Sequence, residues 1–226
     1  MNEKSRASLI VKLIISRFLL KILLPITKLI VENFTFMSIT LIITNWRRFL
    51  MLKMFTTQLT GLFNRLQEKE EFSIEDSARL LAQAVAGEGT IYLYGAKEMG
   101  AVPLEAMYGA EPLKQAQILT TEQVSNVTLA DRVILFSRKS TDPEALEISQ
   151  KLADKSFPFV AVSTIDKNSE TQGLDTLADV HIDLRLTKGL LPDELGNRIG
   201  QPSSMAALYV YYGIKFTIDE IMAEYE

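Results

Sequence analysis

From Phe55 onward the apolar positions fall into a regular pattern. Phe55, Leu59, Leu62, Phe63 and Leu66 recur at helical spacing, so residues 54–70 read as an amphipathic helix. The polar run 67–71 ends it. Ser73 then caps a second helix, with Asp76 three residues later in a capping-box position. Ile74, Ala78, Leu81, Ala82 and Val85 form its apolar face, and Gly87 and Gly89 close it. Residues 90–94 (Thr-Ile-Tyr-Leu-Tyr) are a short strand closed by Gly95. A helix disturbed by Pro103 follows as far as Met107. Residues 117–119 are a weak strand and residues 131–137 a strong one. Asp142-Pro143-Glu144 opens a helix reaching about Lys155, because proline suits a first helical turn. Residues 157–164 and 180–186 are two more strands, and residues 203–225 a closing helix. Strands alternating with helices, and apolar on both faces, predict an α/β protein with a parallel sheet covered on both sides.

Before residue 54 the composition is different. Residues 1–53 hold nine Lys/Arg against two Asp/Glu, a surplus of seven positive charges. Residues 54–226 hold 15 against 26, a surplus of eleven negative ones. All eleven glycines lie after position 60, and Ala7 is the sole alanine of the first 53 residues. A boundary at 53/54 follows: an apolar, basic extension over 1–53, then a domain over 54–226. Residues 29–46 approach the ~20 apolar residues of a spanning helix, but Glu32 and Asn33 interrupt them. A basic amphipathic helix with Arg17, Lys21 and Lys28 on one face would lie on a membrane surface. A translated upstream stretch, with Met51 or Met54 as the true start, has this composition too. The expected location is the cytoplasm, with membrane attachment only through residues 1–53.

Composition also removes several chemistries. Without cysteine there is no disulfide, thiolate nucleophile or Cys-ligated metal, and one histidine, His181, makes no multi-His centre. A net charge of −4 argues against a general nucleic-acid binder. Gly95 and Gly100 lack the Lys-Ser/Thr of a P-loop and the spacing of a dinucleotide fingerprint, so no cofactor is expected.

Open parallel sheets bind ligands beyond the carboxyl ends of their strands. The loops to watch are therefore Gly95 to Glu98, Thr120-Thr121, Ser137 to Thr141, and Ser163-Thr164. The third carries most: hydroxyls and two cations stand between a strand end and a helix start, where unpaired N–H groups attract anions. Helix capping by Thr141 or Asp142, with Arg138 and Lys139 solvated, accounts for the same residues. His181 begins its strand and so faces the other end of the sheet, which suits a structural role. Tyr209, Tyr211 and Tyr212 sit on an apolar helix and suit a core or interface face.

The run from Asp131 (Asp-Arg-Val-Ile-Leu-Phe-Ser-Arg-Lys-Ser-Thr-Asp-Pro-Glu-Ala-Leu), continued by Phe159-Val-Ala-Val-Ser, resembles the core of a sugar isomerase (SIS) domain. Residues 90–95 resemble the family's first strand, and Leu177-Ala178-Asp179 its later Leu-Ala-Asp. The resemblance covers most of 72–225 and is closest to phosphoheptose-isomerase-like members, in particular a short SIS-like family of Gram-positive bacteria. It implies a three-layer αβα sandwich with a flavodoxin-like sheet, sugar-phosphate binding at the strand ends, and homodimers with sites near the interface. Carried over by position, Ser137, Ser140 and Thr141 would hold the phosphate; they are expected to converge on one pocket at the start of the helix near Asp142, with Lys97 or Lys139 close enough to add charge. The chain departs from the family in having Arg138-Lys139 where a Ser-Gly pair is usual, and Ala96-Lys97-Glu98 where many members place a serine.

An aldose–ketose isomerase needs a base to move a proton between neighbouring carbons. The carboxylates within reach of the strand ends are Glu98 and Glu194. Two classes of function remain: a phosphosugar isomerase using such a base, and a non-catalytic, regulatory sugar-phosphate-binding module. The absence of an evident acid/base pair favours the second.

Overall fold

A computed structural model describes residues 50–167, 169 and 172–224. Residues 1–49, on which the readings of the extension fall, lie outside the described residues. Among the described residues no helix is long and apolar enough to cross a membrane.

Helix α1 runs without a break over residues 50–86. The sequence pattern divides this stretch in two, and the structure corrects it. Gln67-Glu-Lys-Glu-Glu71 contains only good helix formers, and nothing there removes an amide or adds backbone freedom. Glu70 is buried within the helix at 4% exposure. Ser73 caps nothing; instead its carbonyl accepts the hydroxyl of Ser77 at 2.6 Å, one turn on.

Strand β1 (Ile91–Gly95) leads into a 3-10 turn (Lys97–Gly100) and helix α2 (Ala101–Tyr108). Pro103 does not disturb α2, because it stands in the first turn, where its missing N–H has no acceptor to lose. Then follow β2 (Ala116–Ile118), β3 (Arg132–Lys139), α3 (Pro143–Asp154) and β4 (Phe159–Thr164). The short α4 (Leu174–Leu177), β5 (Val180–Asp183), the hairpin β6–β7 (Leu191–Pro192 and Arg198–Ile199) and α5 (Ser203–Ala223) complete the order.

Strands β1 to β5 form a sheet in the order β2-β1-β3-β4-β5, parallel throughout. Its two faces are built by alternation along each strand. Ile134, Phe136, Val160 and Val162 join the core under α1, α2 and α5. Val133, Leu135, Phe159 and Ala161 join the core under α3 and α4. The architecture is the αβα sandwich with flavodoxin-like strand order that the sequence predicts. In this order the connections reverse direction between β1 and β3, which is where open parallel sheets place a ligand crevice beyond the strand ends.

Candidate functional site

The two strands at the reversal point end differently, and each ending has a local cause. Behind β1 the chain turns sharply into the 3-10 turn. A Cβ on Gly95 would run into the Met99 carbonyl and the Gly100 amide, so only glycine lets the turn fold back this closely. Lys97 takes a positive φ of 53° in that turn. Strand β3 carries a register shift between Phe136 and Lys139. One extra residue enters β3 there, between the pairs Phe136 with Val162 and Lys139 with Thr164.

Ion pairs stitch these ends together. Arg138 Nε meets Glu98 Oε1 at 2.6 Å, joining the β1 and β3 endings. Lys97 Nζ meets Asp142 Oδ2 at 3.2 Å, joining the β1 ending to α3. Lys139 Nζ meets Asp166 Oδ2 at 3.1 Å, joining the β3 and β4 endings. Arg185, just past β5, grips Glu70 of α1 through Nε at 2.8 Å and Nη2 at 2.5 Å. The side chains of Lys97, Arg138 and Lys139 are about half-exposed or more, so a ligand can reach them.

The hydroxyls of the β3–α3 loop do not converge. Ser137 Oγ donates to the Lys139 carbonyl at 2.7 Å, bracing the bulge. Ser140 Oγ accepts the Asp166 amide at 3.3 Å, facing the β4 side. Thr141 is half-buried. The first turn of α3 is occupied from within: Asp142 Oδ1 accepts the N–H groups of Glu144 at 3.2 Å and Ala145 at 3.5 Å.

The carboxylates expected near the strand ends part company. Glu98 stands at the crevice, where its hydrogen bond from Arg138 outweighs partial burial and holds its carboxyl below the usual range. Glu194 lies in the exposed turn of the β6–β7 hairpin. His181 sits opposite Ala161 on the α3–α4 face, within 2.8 Å of the buried Ser163 hydroxyl. Burial pushes its imidazole below the ordinary value, against the pull of the Asp175 and Asp183 carboxylates. The tyrosines of α5 pack: Tyr209 stacks on Phe63 at 4.7 Å, Tyr212 donates to Glu105 at 2.7 Å, and Tyr211 is buried. No group of three or more His, Asp or Glu side chains among the described residues is arranged to hold a metal.

Two features escaped the sequence reading. The Glu70–Arg185 pair spans over a hundred residues and sits where the helix pattern was read as broken. A groove of about 1020 Å³ lies between the C-terminal halves of α1 and α5, lined by Ile74, Arg79, Tyr209, Phe216 and Ile221 among others. That half of α5 points away from the strand carboxyl ends, so the groove is a different surface from the crevice.

Comparison with known proteins places this geometry. A family model described as "Domain of unknown function (DUF2529)" matches residues 51–222. "Uncharacterized protein YwjG" of Bacillus subtilis (strain 168) is 47% identical over 175 residues, which is 77% of this chain and 99% of that protein. Among solved structures, an E. coli CFT073 protein in complex with a sugar phosphate is similar with a TM-score of 0.58 at 16% identity, over 79% of this chain and 93% of that one. Phosphoheptose isomerase GmhA from Neisseria gonorrhoeae is similar with a TM-score of 0.54 at 13% identity, over 76% and 98%. At these identities the structures establish a shared fold, that of the SIS domain.

Proposed function

The chain belongs to the DUF2529 family, and we propose that it binds a phosphorylated sugar in the crevice beyond the β1 and β3 carboxyl ends, as a binding module without isomerase activity. One observation carries this reading. Lys97 and Arg138 stand on the β1 and β3 endings that flank the reversal point, and Lys139 on the β3 ending toward β4, all about half-exposed or more, in a fold of which one solved example holds a sugar phosphate. Accessible cations beyond the carboxyl ends of the strands suit a phosphorylated ligand, since charge-assisted hydrogen bonds to phosphate are the strong ones. Of the β3–α3 loop, half-buried Thr141 would contact the sugar, while the buried Ser137 and Ser140 brace the loop from within. The expected partner is a sugar phosphate, and the working unit a homodimer.

The preference for binding over catalysis rests on Glu98. A general base works best with a pKa near the operating pH. Arg138 draws Glu98 the other way, so the carboxylate is a weak proton acceptor. Glu194 sits on an exposed turn, and His181 is committed to Ser163 within the sheet. Proton transfer by a positioned base is worth ~10²–10⁴-fold.

The test is a thermal-shift screen of the full chain against pentose, hexose and heptose phosphates, with the unphosphorylated sugars alongside. A compound at 100 times its dissociation constant adds about 2.7 kcal/mol of stability. Stabilisation by sugar phosphates and not by the sugars is expected; no stabilisation by any of them sinks the reading. Any compound that binds is then followed by NMR in deuterium oxide. Enzymatic incorporation of deuterium at carbon 1 or 2, lost in Glu98→Gln or Glu194→Gln, would make the protein an isomerase instead.

A further inference from the structure

Two helices longer than two turns begin at the carboxyl edge of the sheet with a free-standing N-terminus: α3 and α5. Helix α2 grows directly out of the 3-10 turn, which uses its first amide: Ala101 N–H reaches the carbonyls of Glu98 and Met99. At α3 the donors are spent on Asp142, and Lys97 neutralises that carboxylate. An anion approaching α3 meets a carboxylate already in its place.

At α5 the donors are open. The residue before the helix is Pro202, which has no side-chain acceptor, and the first turn contains no Asp or Glu. The first bond into the helix is from Ala206 N–H to the Pro202 carbonyl at 3.0 Å. The N–H groups of Ser203, Ser204 and Met205 therefore have no helical acceptor. Ser203 supplies an independent sign. Its residue is only 3% exposed, yet among the described residues its hydroxyl has no hydrogen-bond partner. Nor is that oxygen sealed from solvent: the fully enclosed, unpartnered side-chain atoms are Arg132 Nε and Tyr211 Oη. A hydroxyl held in a buried residue, unpaired and open at the first turn of a helix, is shaped to meet something brought from outside.

The place is right for a ligand of the crevice. Gln201 Nε2 donates to the Leu186 carbonyl at 3.1 Å, and Leu186 N–H donates to the Thr164 hydroxyl at 3.3 Å, so the start of α5 is tied to the ends of β4 and β5. The 3-10 turn carrying Lys97 and Glu98 packs on α5, with Met99 in the same core as Ala206 and Ala207. The nearest acid of that turn, Glu98, is neutralised by Arg138.

We infer that the phosphate of the sugar phosphate seats on the N-terminus of α5, received by the Ser203 and Ser204 N–H groups and the Ser203 hydroxyl, while Asp142 permanently fills the equivalent position on α3. The sugar then extends toward Lys97, Arg138 and the β3–α3 loop. This rests on the binding reading above. It adds which helix takes the phosphate.

Affinity for the stabilising sugar phosphates is measured by titration calorimetry on the full chain and on Ser203→Asp, Ser204→Asp and Asp142→Asn. A carboxylate in a first helical turn favours the helix, so the ligand-free melting temperature should hold or rise in Ser204→Asp, whose position is half-buried, and should fall in Ser203→Asp, whose position is buried. Their affinity should fall at least tenfold, and equally in the Asp142→Asn background, where Lys97 is freed of its carboxylate. If Ser203→Asp does not fold, Ser204→Asp decides alone. Wild-type affinity in the serine variants overturns the inference and leaves the binding reading standing. So does tighter binding by Asp142→Asn that survives combination with Ser204→Asp, since the phosphate would then belong to α3. If no sugar phosphate binds the wild type, both fall together.

Discussion

Two aspartates at strand beginnings perform the same task at the same register. Asp131 stands one residue before Arg132, which pairs with Ile91, and its Oδ1 accepts the N–H of Thr90, one residue before Ile91, at 2.8 Å. Asp179 stands one residue before Val180, which pairs with Val160, and accepts the N–H of Phe159, one residue before Val160, at 2.9 Å. Each carboxylate satisfies an amide that the ladder leaves over where two parallel strands start. Burial alone would raise the Asp131 carboxyl, but bonds from the Thr128 hydroxyl and from the amides of Thr128 and Thr90 outweigh it and hold it low. Both aspartates were legible as parts of a resemblance, and only the pairing register shows their job. His181 carries a pH prediction. Its folded pKa lies below the ordinary value of 6.5, so the unfolded chain binds the proton more readily. Its penalty is absent above pH 6.5 and grows as pH falls through 6.5 toward the folded pKa. Urea midpoints should therefore drop between pH 7 and pH 5.5, and the drop should be smaller in His181→Gln. An equal drop in both proteins would locate the titration elsewhere.

Among the elements, α3 was the most legible and α1 the least. Asp142-Pro143 announces α3 because a capping carboxylate and a first-turn proline act within four residues. Helix α1 was misread at residues 67–71 because a polar run looks like an end, and only the fold brings Arg185 to Glu70. Glu70 Oε2 also accepts the Asp183 N–H at 3.4 Å, so the pair ties the middle of α1 to the end of β5. Glu70 is 4% exposed while the Arg185 side chain is 41% exposed, so removing the glutamate leaves a cation that water can still reach. Glu70→Ala should cost about 2 kcal/mol in urea unfolding, in the range of hydrogen bonds to charged groups. A double-mutant cycle with Arg185→Ala should return a coupling of about 1 kcal/mol or more. Additive effects would mean that the pair is incidental to the packing of α1.

For the whole molecule, we expect residues 54–226 to fold alone and to dimerise through the groove between α1 and α5. Phe216 is 54% exposed in that groove, in the midst of Tyr209, Ile74 and Ile221, which is unusual for a large apolar side chain on a solvated face. A chain beginning at Met54 should unfold cooperatively and sediment as a dimer, and Phe216→Glu should convert it to a folded monomer. Loss of folding on starting at Met54, or a dimer untouched by Phe216→Glu, would defeat the respective half of that expectation. The sequence by itself determined the alternation of strands and helices, the two-sided apolar strands and hence the parallel sandwich, because these follow from periodicities of two to four residues. It also determined which loops stand at the carboxyl edge, because chain direction fixes that in a parallel sheet. Tertiary structure alone decided the chemistry of that edge. Whether Asp142 faces its own helix or the solvent, whether Arg138 pins Glu98, and whether the start of α5 is left open depend on how the edge loops fold back and on contacts between residues far apart in the chain. No local pattern encodes a distance across the sheet.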